Sequence, residues 1–326
     1  MGDDARQRNP AAASRLLVAA ERPQSMIGQR AATEPYVTRF ETEVTAIDGR
    51  RVWLESSYFY GERGGQPADH GAIGGVDVTD VRFEAGEPVH SLAEEPSFKV
   101  GHRVLCSIDW SFRMYCMRAH TASHVLYGAA RRLLENLDYA GIDIDERRVR
   151  IDLETSTTID DEILLELDER VSRVVWESRR VSWDDVPAAE ARNREEVAFS
   201  EAIDEDALAN GRVRLVTIRG ENDTGSGSRP GFGNGATVTV SGGNGSQEPW
   251  DVTACGGTHV RNTREIGPVT VLGCSTRDDG VTGIELAVGP AAIERRTIEK
   301  RITLDASRIL ETPVADVPDE LQRSLE

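Results

Sequence analysis

Long apolar runs are missing. Nowhere does the chain hold the ~18 to 20 consecutive apolar residues that a membrane-spanning helix needs, so that class is excluded and no membrane partner is expected. Cysteine is scarce too. Four cysteines (Cys106, Cys116, Cys255, Cys274) in 326 residues do not make a disulfide framework, which points to a reducing compartment and to metal or buried-thiol roles. Lysine is almost absent: of 38 basic residues only Lys99 and Lys300 are lysines, and arginine carries the rest. Set against 56 acidic residues the formal net charge is −18. Such a composition resembles proteins adapted to molar salt, where screening over about 3 Å makes self-repulsion cheap. Acidity therefore does not exclude an RNA partner. The N-terminus has no basic leader region, since Asp3 and Asp4 precede the short apolar patch at Leu16 to Ala20 and no cleavage site follows, so a cytoplasmic location is expected.

What is present organises into segments. Residues 1 to 34 are rich in Ala, Arg, Gln and Pro without a sustained period and read as a disordered tail, with Met26 a plausible true start. From 35 to 110, short alternating runs (Tyr36 to Ile47, Arg51 to Leu54, Val76 to Phe83, Arg103 to Asp109) are broken by Asp-Gly and Gly-Gly turns. That pattern predicts a small antiparallel β-barrel. Helical spacing of Met114, Met117, Val125, Leu126, Ala129 and Leu133 predicts a helix from 111 past 135. A second helix over about 160 to 180 carries Asp160 and Asp161 at its start and Arg179 and Arg180 in its last turn, matching the helix dipole. Strands are expected at Arg212 to Ile218, Val269 to Leu272 and Ile284 to Val288, around a Gly, Ser and Asn-rich excursion over 220 to 249. A C-terminal helical segment follows over 291 to 326. The fold class is α+β: a barrel, then a domain over 111 to 290 with helices packed on an antiparallel sheet.

Two ligand clusters stand out. His120 and His124 are four apart on a predicted helix, so both imidazoles face one ion. Cys255-Gly256-Gly257-Thr258-His259 repeats that spacing, but its glycines oppose a helix and favour a tight loop in which the backbone approaches a ligand. Together they form a Cys/His₃ set if the fold brings them together. Cys116, one turn before His120, is a competing ligand or a small buried apolar residue. The residue after His120 is Thr121 rather than Glu, so the zinc-protease helix with its built-in base is absent.

A third cluster, Phe59-Tyr60-Gly61-Glu62-Arg63-Gly64-Gly65-Gln66-Pro67-Ala68-Asp69-His70-Gly71, reads alone as a glycine-rich hairpin loop. Followed by Arg118-Ala-His120-Thr-Ala-Ser-His124 and by Cys255 to His259 with Glu265-Ile-Gly267, it resembles the alanyl-tRNA editing proteins (AlaX family) and the matching editing domain of alanyl-tRNA synthetase. The resemblance covers about 36 to 290, with the motifs in family order. It implies a zinc ion on His120, His124, Cys255 and His259, a Gly-Gly-Gln loop that turns Gln66 toward substrate, and ATP-independent hydrolysis of mischarged alanine tRNA carrying serine or glycine. No aminoacylation core is recognisable.

The chemistry can be reasoned beside that likeness. Zinc lowers the pKa of bound water and polarises an ester carbonyl, yet four protein ligands close a tetrahedral site. Activating water and merely positioning substrate therefore both stay open. So do a structural zinc in a tRNA-binding module and an aminoacyl ester hydrolase of other specificity. Rejection of alanine in favour of serine needs a hydrogen bond to the extra hydroxyl, for which Gln66, Thr121 and Thr258 are candidates, each with a structural alternative. Arg131, Arg132, Arg147, Arg148 and Arg150 are the expected RNA contacts, or else solvated faces.

Overall fold

A computed structural model describes residues 30–199, 211–220 and 248–325. The expected tail up to residue 29, and the expected insertion from 221 to 247, lie outside the described residues.

The alternating segments close into a barrel. Its strands are β1 (Arg39–Asp48), β2 (Arg51–Leu54), β3 (Gly71–Ile73), β4 (Val76–Glu84), β5 (Glu87–Leu92) and β6 (Arg103–Ile108), in the order β1-β2-β5-β4-β3-β6. All neighbours are antiparallel, and β1 pairs with β6 to remove the edges. Inward positions such as Val44, Val52, Ile73, Val81, Leu92 and Cys106 fill the interior. β3 and β5 were not anticipated: β3 has only three residues, and β5 is punctuated by Pro88 and His90.

His90 is the unusual member of this core. It is fully buried, its Nδ1–H donates to the Val52 carbonyl (3.1 Å), and its Nε2 accepts from the Ser57 hydroxyl (2.8 Å). Burial pushes its pKa down to about 4, against the opposing pull of the Val52 carbonyl.

Helix α2 (Trp110–Ala130) leaves the barrel with Asp109 as N-cap, whose carboxylate accepts from the amides of Ser111 (2.9 Å) and Phe112 (3.2 Å). From Ala119 to Ala130 every residue is buried, because the helix has neighbours on all sides. It ends at Ala130, short of the expected 135, and Asn136 in the left-handed region (φ 50°) turns the chain away. On one side lie α3 (Asp161–Trp176) and the sheet β13 (Val269–Thr276), β14 (Thr282–Val288), β8 (Val149–Glu154), β7 (Asp138–Ile144), antiparallel throughout. Asp160 caps α3 by accepting from Ile163 N (3.0 Å), and Leu167, Val171 and Val174 face Ile151, Leu153, Ile284 and Leu286 in the main core. On the other side a second sheet runs β10 (Val197–Ala198), β12 (Asp251–Ala254), β11 (Arg212–Ile218), β9 (Val181–Pro187). There the β10–β12 pair is parallel, a departure from the purely antiparallel sheet expected. The chain finishes with helices over Pro290–Ile309 and Val317–Leu325.

Barrel and helix are joined by a buried ion pair. Arg113, in the first turns of α2, sends Nε to Asp69 Oδ1 (2.9 Å) and a second guanidinium nitrogen to Asp69 Oδ2, with both side chains essentially inaccessible. The same guanidinium donates to the carbonyls of Pro35 (2.8 Å) and Tyr58 (2.7 Å), and Asp69 Oδ2 accepts from Tyr60 N. Every strong valence is filled, which is the condition for keeping such a pair buried.

Two outcomes are expected. Arg113→Ala strands the Asp69 carboxylate and costs about 3–5 kcal/mol in denaturant unfolding, whereas Arg113→Met combined with Asp69→Leu recovers most of it. For His90 the folded-state pKa lies below the unfolded value, so its stabilisation is complete above pH 6.5 and is lost as the pH falls toward about 4. Over that window the wild-type chain should lose ~3 kcal/mol more stability than His90→Gln, read from urea midpoints against pH.

Candidate metal centre

Helix α2 presents His120 and His124 one turn apart, with ring centroids 5.4 Å from each other. Strand β12 runs antiparallel to β11 and delivers the Cys255-to-His259 loop against that face. The Cys255 Sγ lies 3.3 Å from His120 Nε2 and 3.3 Å from His259 Nε2. One ligand atom from each of His120, His124, Cys255 and His259 falls within 4.8 Å of all the others. Tetrahedral zinc with bonds of about 2.0–2.3 Å sets its ligands roughly 3.3–3.8 Å apart, so the donor set fits that ion in kind, and the two Cys255 distances fit it in spacing. Cys116 stands outside the group, its buried thiol pushed up to about 12.

What aims the imidazoles is the layer behind them. The amide oxygen of Gln66 accepts from His120 Nδ1 (2.9 Å) and from the backbone N–H of Thr258 (3.0 Å), while Gln66 Nε2 donates to Thr258 Oγ1 (2.9 Å). Asp251 Oδ2 lies 2.8 Å from His124 Nδ1 and also accepts from the Thr253 hydroxyl (2.9 Å). His259 Nδ1 lies 3.3 Å from Thr121 Oγ1, whose own proton goes to the Met117 carbonyl (2.7 Å) and which also accepts from Val260 N (3.1 Å). Thr121 thus has its proton committed to Met117, so it can only accept from His259. Each imidazole therefore has Nδ1 protonated and held from behind, which leaves Nε2 for a metal.

The expected substrate contacts land differently from one another. Gln66 does reach the centre, but fully buried and committed to His120 and Thr258. Thr121 spends its hydroxyl inside its own helix and on the His259 loop. Thr258 is also buried, and among the described residues its hydroxyl proton has no acceptor. Arg147 pairs with Glu294 (2.6 Å), Arg148 with Asp145 (2.8 Å) and Glu285, and Arg150 with Asp152 (2.7 Å), so these expected RNA contacts are neutralised. Arg131 and Arg132 are exposed and donate to backbone carbonyls, which leaves their charge in place.

Asp251 went unanticipated, although it left a trace: an acid inside the otherwise apolar or small run of β12, all of it buried, must have a partner. Arg214, 5% exposed, was also missed. Its guanidinium donates to the carbonyls of Cys255 (2.9 Å), Gly257 (2.9 Å) and Ala32 (3.0 Å) and so clamps the loop from below.

Electrostatics favour a cation. Burial opposes a thiolate at Cys255, but the surrounding imidazoles outweigh it and hold the thiol well below its ordinary value. Burial keeps His259 neutral, well below the usual histidine range. Burial acts the same way on His124, yet Asp251 and Cys255 overcome it and raise the pKa to about 10. The Cys255 thiolate and the Asp251 carboxylate together outweigh the cationic His124 ring, so the pocket as a whole draws positive charge.

Comparison with known proteins follows the same residues. The family model described as the threonyl and alanyl tRNA synthetase second additional domain matches residues 213–285, from β11 through the Cys-Gly-Gly-Thr-His loop into β14. The chain is 32% identical to the alanine–tRNA ligase of Pyrococcus abyssi over 296 residues, 89% of this chain and 29% of that protein. It is 28% identical to the alanine–tRNA ligase of Methanococcus maripaludis over 294 residues, 90% of this chain and 29% of the relative. The chain is a relative of part of alanine–tRNA ligase. It spans under a third of the length of these curated relatives.

In this relative of alanine–tRNA ligase the two glycines of the loop are not equivalent. A Cβ on Gly257 would sit 2.1 Å from His120 Cε1, whereas one on Gly256 would meet nothing within 4 Å. Gly257→Ala is expected to displace His120 and strip bound zinc, and Gly256→Ala to retain it, as measured by metal content after dialysis.

Proposed function

We propose that the chain is a trans-editing deacylase, hydrolysing the ester that links a wrong amino acid, serine and also glycine, to alanine tRNA. The observation that carries this reading is the convergence of His120, His124, Cys255 and His259, each imidazole backed by its own acceptor, in a relative of alanine–tRNA ligase. Water adds across the ester, the carbonyl-to-ribose oxygen bond breaks, and a free amino acid and an uncharged tRNA leave. No ATP is consumed, and the reaction is assigned to the cytoplasm at high salt.

His120, His124, Cys255 and His259 would hold zinc. When bound, the ion supplies Lewis acidity to an ester carbonyl or to water. The chain's own groups do the rest. Gln66 keeps His120 in its metal-facing tautomer and pins the loop through Thr258; Thr121 does the same for His259. Gly256 is exposed and Cys255 half-buried, so substrate approaches the centre on that side. Of the candidates for recognising a serine hydroxyl, Thr258 has the uncommitted proton, and it is the donor assigned to that bond.

One observation favours a second reading. Four protein donors gathered within 4.8 Å of one another would close a tetrahedral zinc site, which suits a structural ion in a non-catalytic tRNA-binding module. The zinc-loaded chain, incubated with seryl-, glycyl- and alanyl-tRNA in molar salt, separates the two. Deacylation of the first two but not the third, lost with chelator and in His120→Ala and Cys255→Ala, is expected. Bound zinc without turnover would establish the structural role instead, and turnover of other aminoacyl esters would reassign the specificity.

A further inference from the structure

Many of the described arginines pair with carboxylates, and others do not. Three of those without an ion pair, Arg118, Arg261 and Arg264, lie within a few positions of the ligands His120 and His259. Arg118 precedes His120 on α2 by two positions and gives its Nε–H to the Glu265 carbonyl (2.7 Å). Arg261 follows His259 by two positions, and Arg261 and Arg264 are exposed.

Arg261 does not extend freely into solvent. Its guanidinium lies over the ring of Tyr36, 4.1 Å from the centroid, and Tyr36 in turn contacts Trp110 with centroids 5.7 Å apart. The Tyr36 hydroxyl is fixed at both ends, donating to Glu265 Oε2 (2.6 Å) and accepting from Arg261 N (3.1 Å). Trp110 is 36% exposed in a chain with few aromatics. Three elements distant in sequence thus build a rigid column of guanidinium, phenol and indole beside the site, open to solvent at both ends.

We propose that this Arg261–Tyr36–Trp110 column is the stacking platform for the bases of a single-stranded RNA 3′ end, with Arg264 and Arg118 on the backbone. The proposal rests on the deacylase reading for the identity of the RNA. The physical reason lies in the charge. A surface with a net charge of −18 repels a polyanion, and molar salt screens whatever attraction a few arginines supply. Short-range stacking on π faces and planar guanidinium survives both, and is worth about 1–3 kcal/mol per base. An unpaired single strand offers those faces where a duplex does not.

The test uses the zinc-loaded chain and uncharged RNA hairpins, one with a short single-stranded 3′ end and one blunt. Wild type should prefer the overhang. Arg261→Gln and Trp110→Ala should each bind it about tenfold more weakly, equivalent to ~1.4 kcal/mol, with blunt RNA and zinc content unchanged. Arg147→Gln, whose partner is Glu294, should bind like wild type. Stacking should also change indole emission in wild type but not in Trp110→Phe. Variants that keep overhang binding, equal losses for both hairpins, or no overhang preference in wild type would overturn the platform. Polyglutamate bound as tightly as the overhang would reassign the surface to an acidic protein. None of these readings needs turnover, so absent deacylation would sink the enzyme proposal and leave this one standing.

Discussion

Three imidazoles turn the same nitrogen toward one point only when something holds each of them by the other. In this chain those holders are an amide oxygen, a carboxylate and a hydroxyl, taken from Gln66, Asp251 and Thr121. Each is buried, and each is itself fixed by a further hydrogen bond. A neutral imidazole left to itself would sample both tautomers, and half of the donor set would face away from the ion. The barrel loop, the central helix and strand β12 are therefore all parts of one small polar assembly. The buried pair between Asp69 and Arg113 keeps the first two in register, and the clamp from Arg214 keeps the loop against them.

Much of this was legible in the sequence, for reasons specific to each element. The barrel announced itself through alternation in β1, β2, β4 and β6, whose inward side chains are mostly apolar and whose outward ones are mostly polar or charged. The helices were marked by caps, Asp160 above all, and the ligand pairs by spacing. Strands β7 and β8 went unseen because Gly141 and the half-solvated acids of the edge strand hide the pattern, although Val149, Ile151 and Leu153 alternate cleanly in β8. Isolated arginines there looked like RNA contacts, whereas the fold pairs them across strands or onto the helix at 290–309. Sequence spacing also cannot say what a polar side chain bonds to at long range. The Gln66–Thr258 contact bridges 192 positions, and only the folded chain shows that the amide serves a histidine before it can serve a substrate.

Electrostatics divide the molecule into two regimes. Over most of the surface, arginines sit against acids a few residues or one strand away, and each such exposed pair contributes little to stability. What they accomplish is to cancel positive charge wherever it is not wanted. Around the metal centre the balance reverses, with a low-pKa thiol and a buried carboxylate inside and carboxylate-free arginines on the rim. A small region of opposite field within a strongly acidic body is the kind of contrast that orients an approaching charged partner.

The centre draws its parts from position 66, from 120 to 124 and from 251 to 259. A nascent chain emerging from the ribosome can complete the barrel and the long helix early, yet it lacks the Cys255 thiol until β12 and its loop have been made. A metal held as proposed is therefore captured only after β12 has folded against the central helix, and its loading would report that two segments more than a hundred positions apart have met.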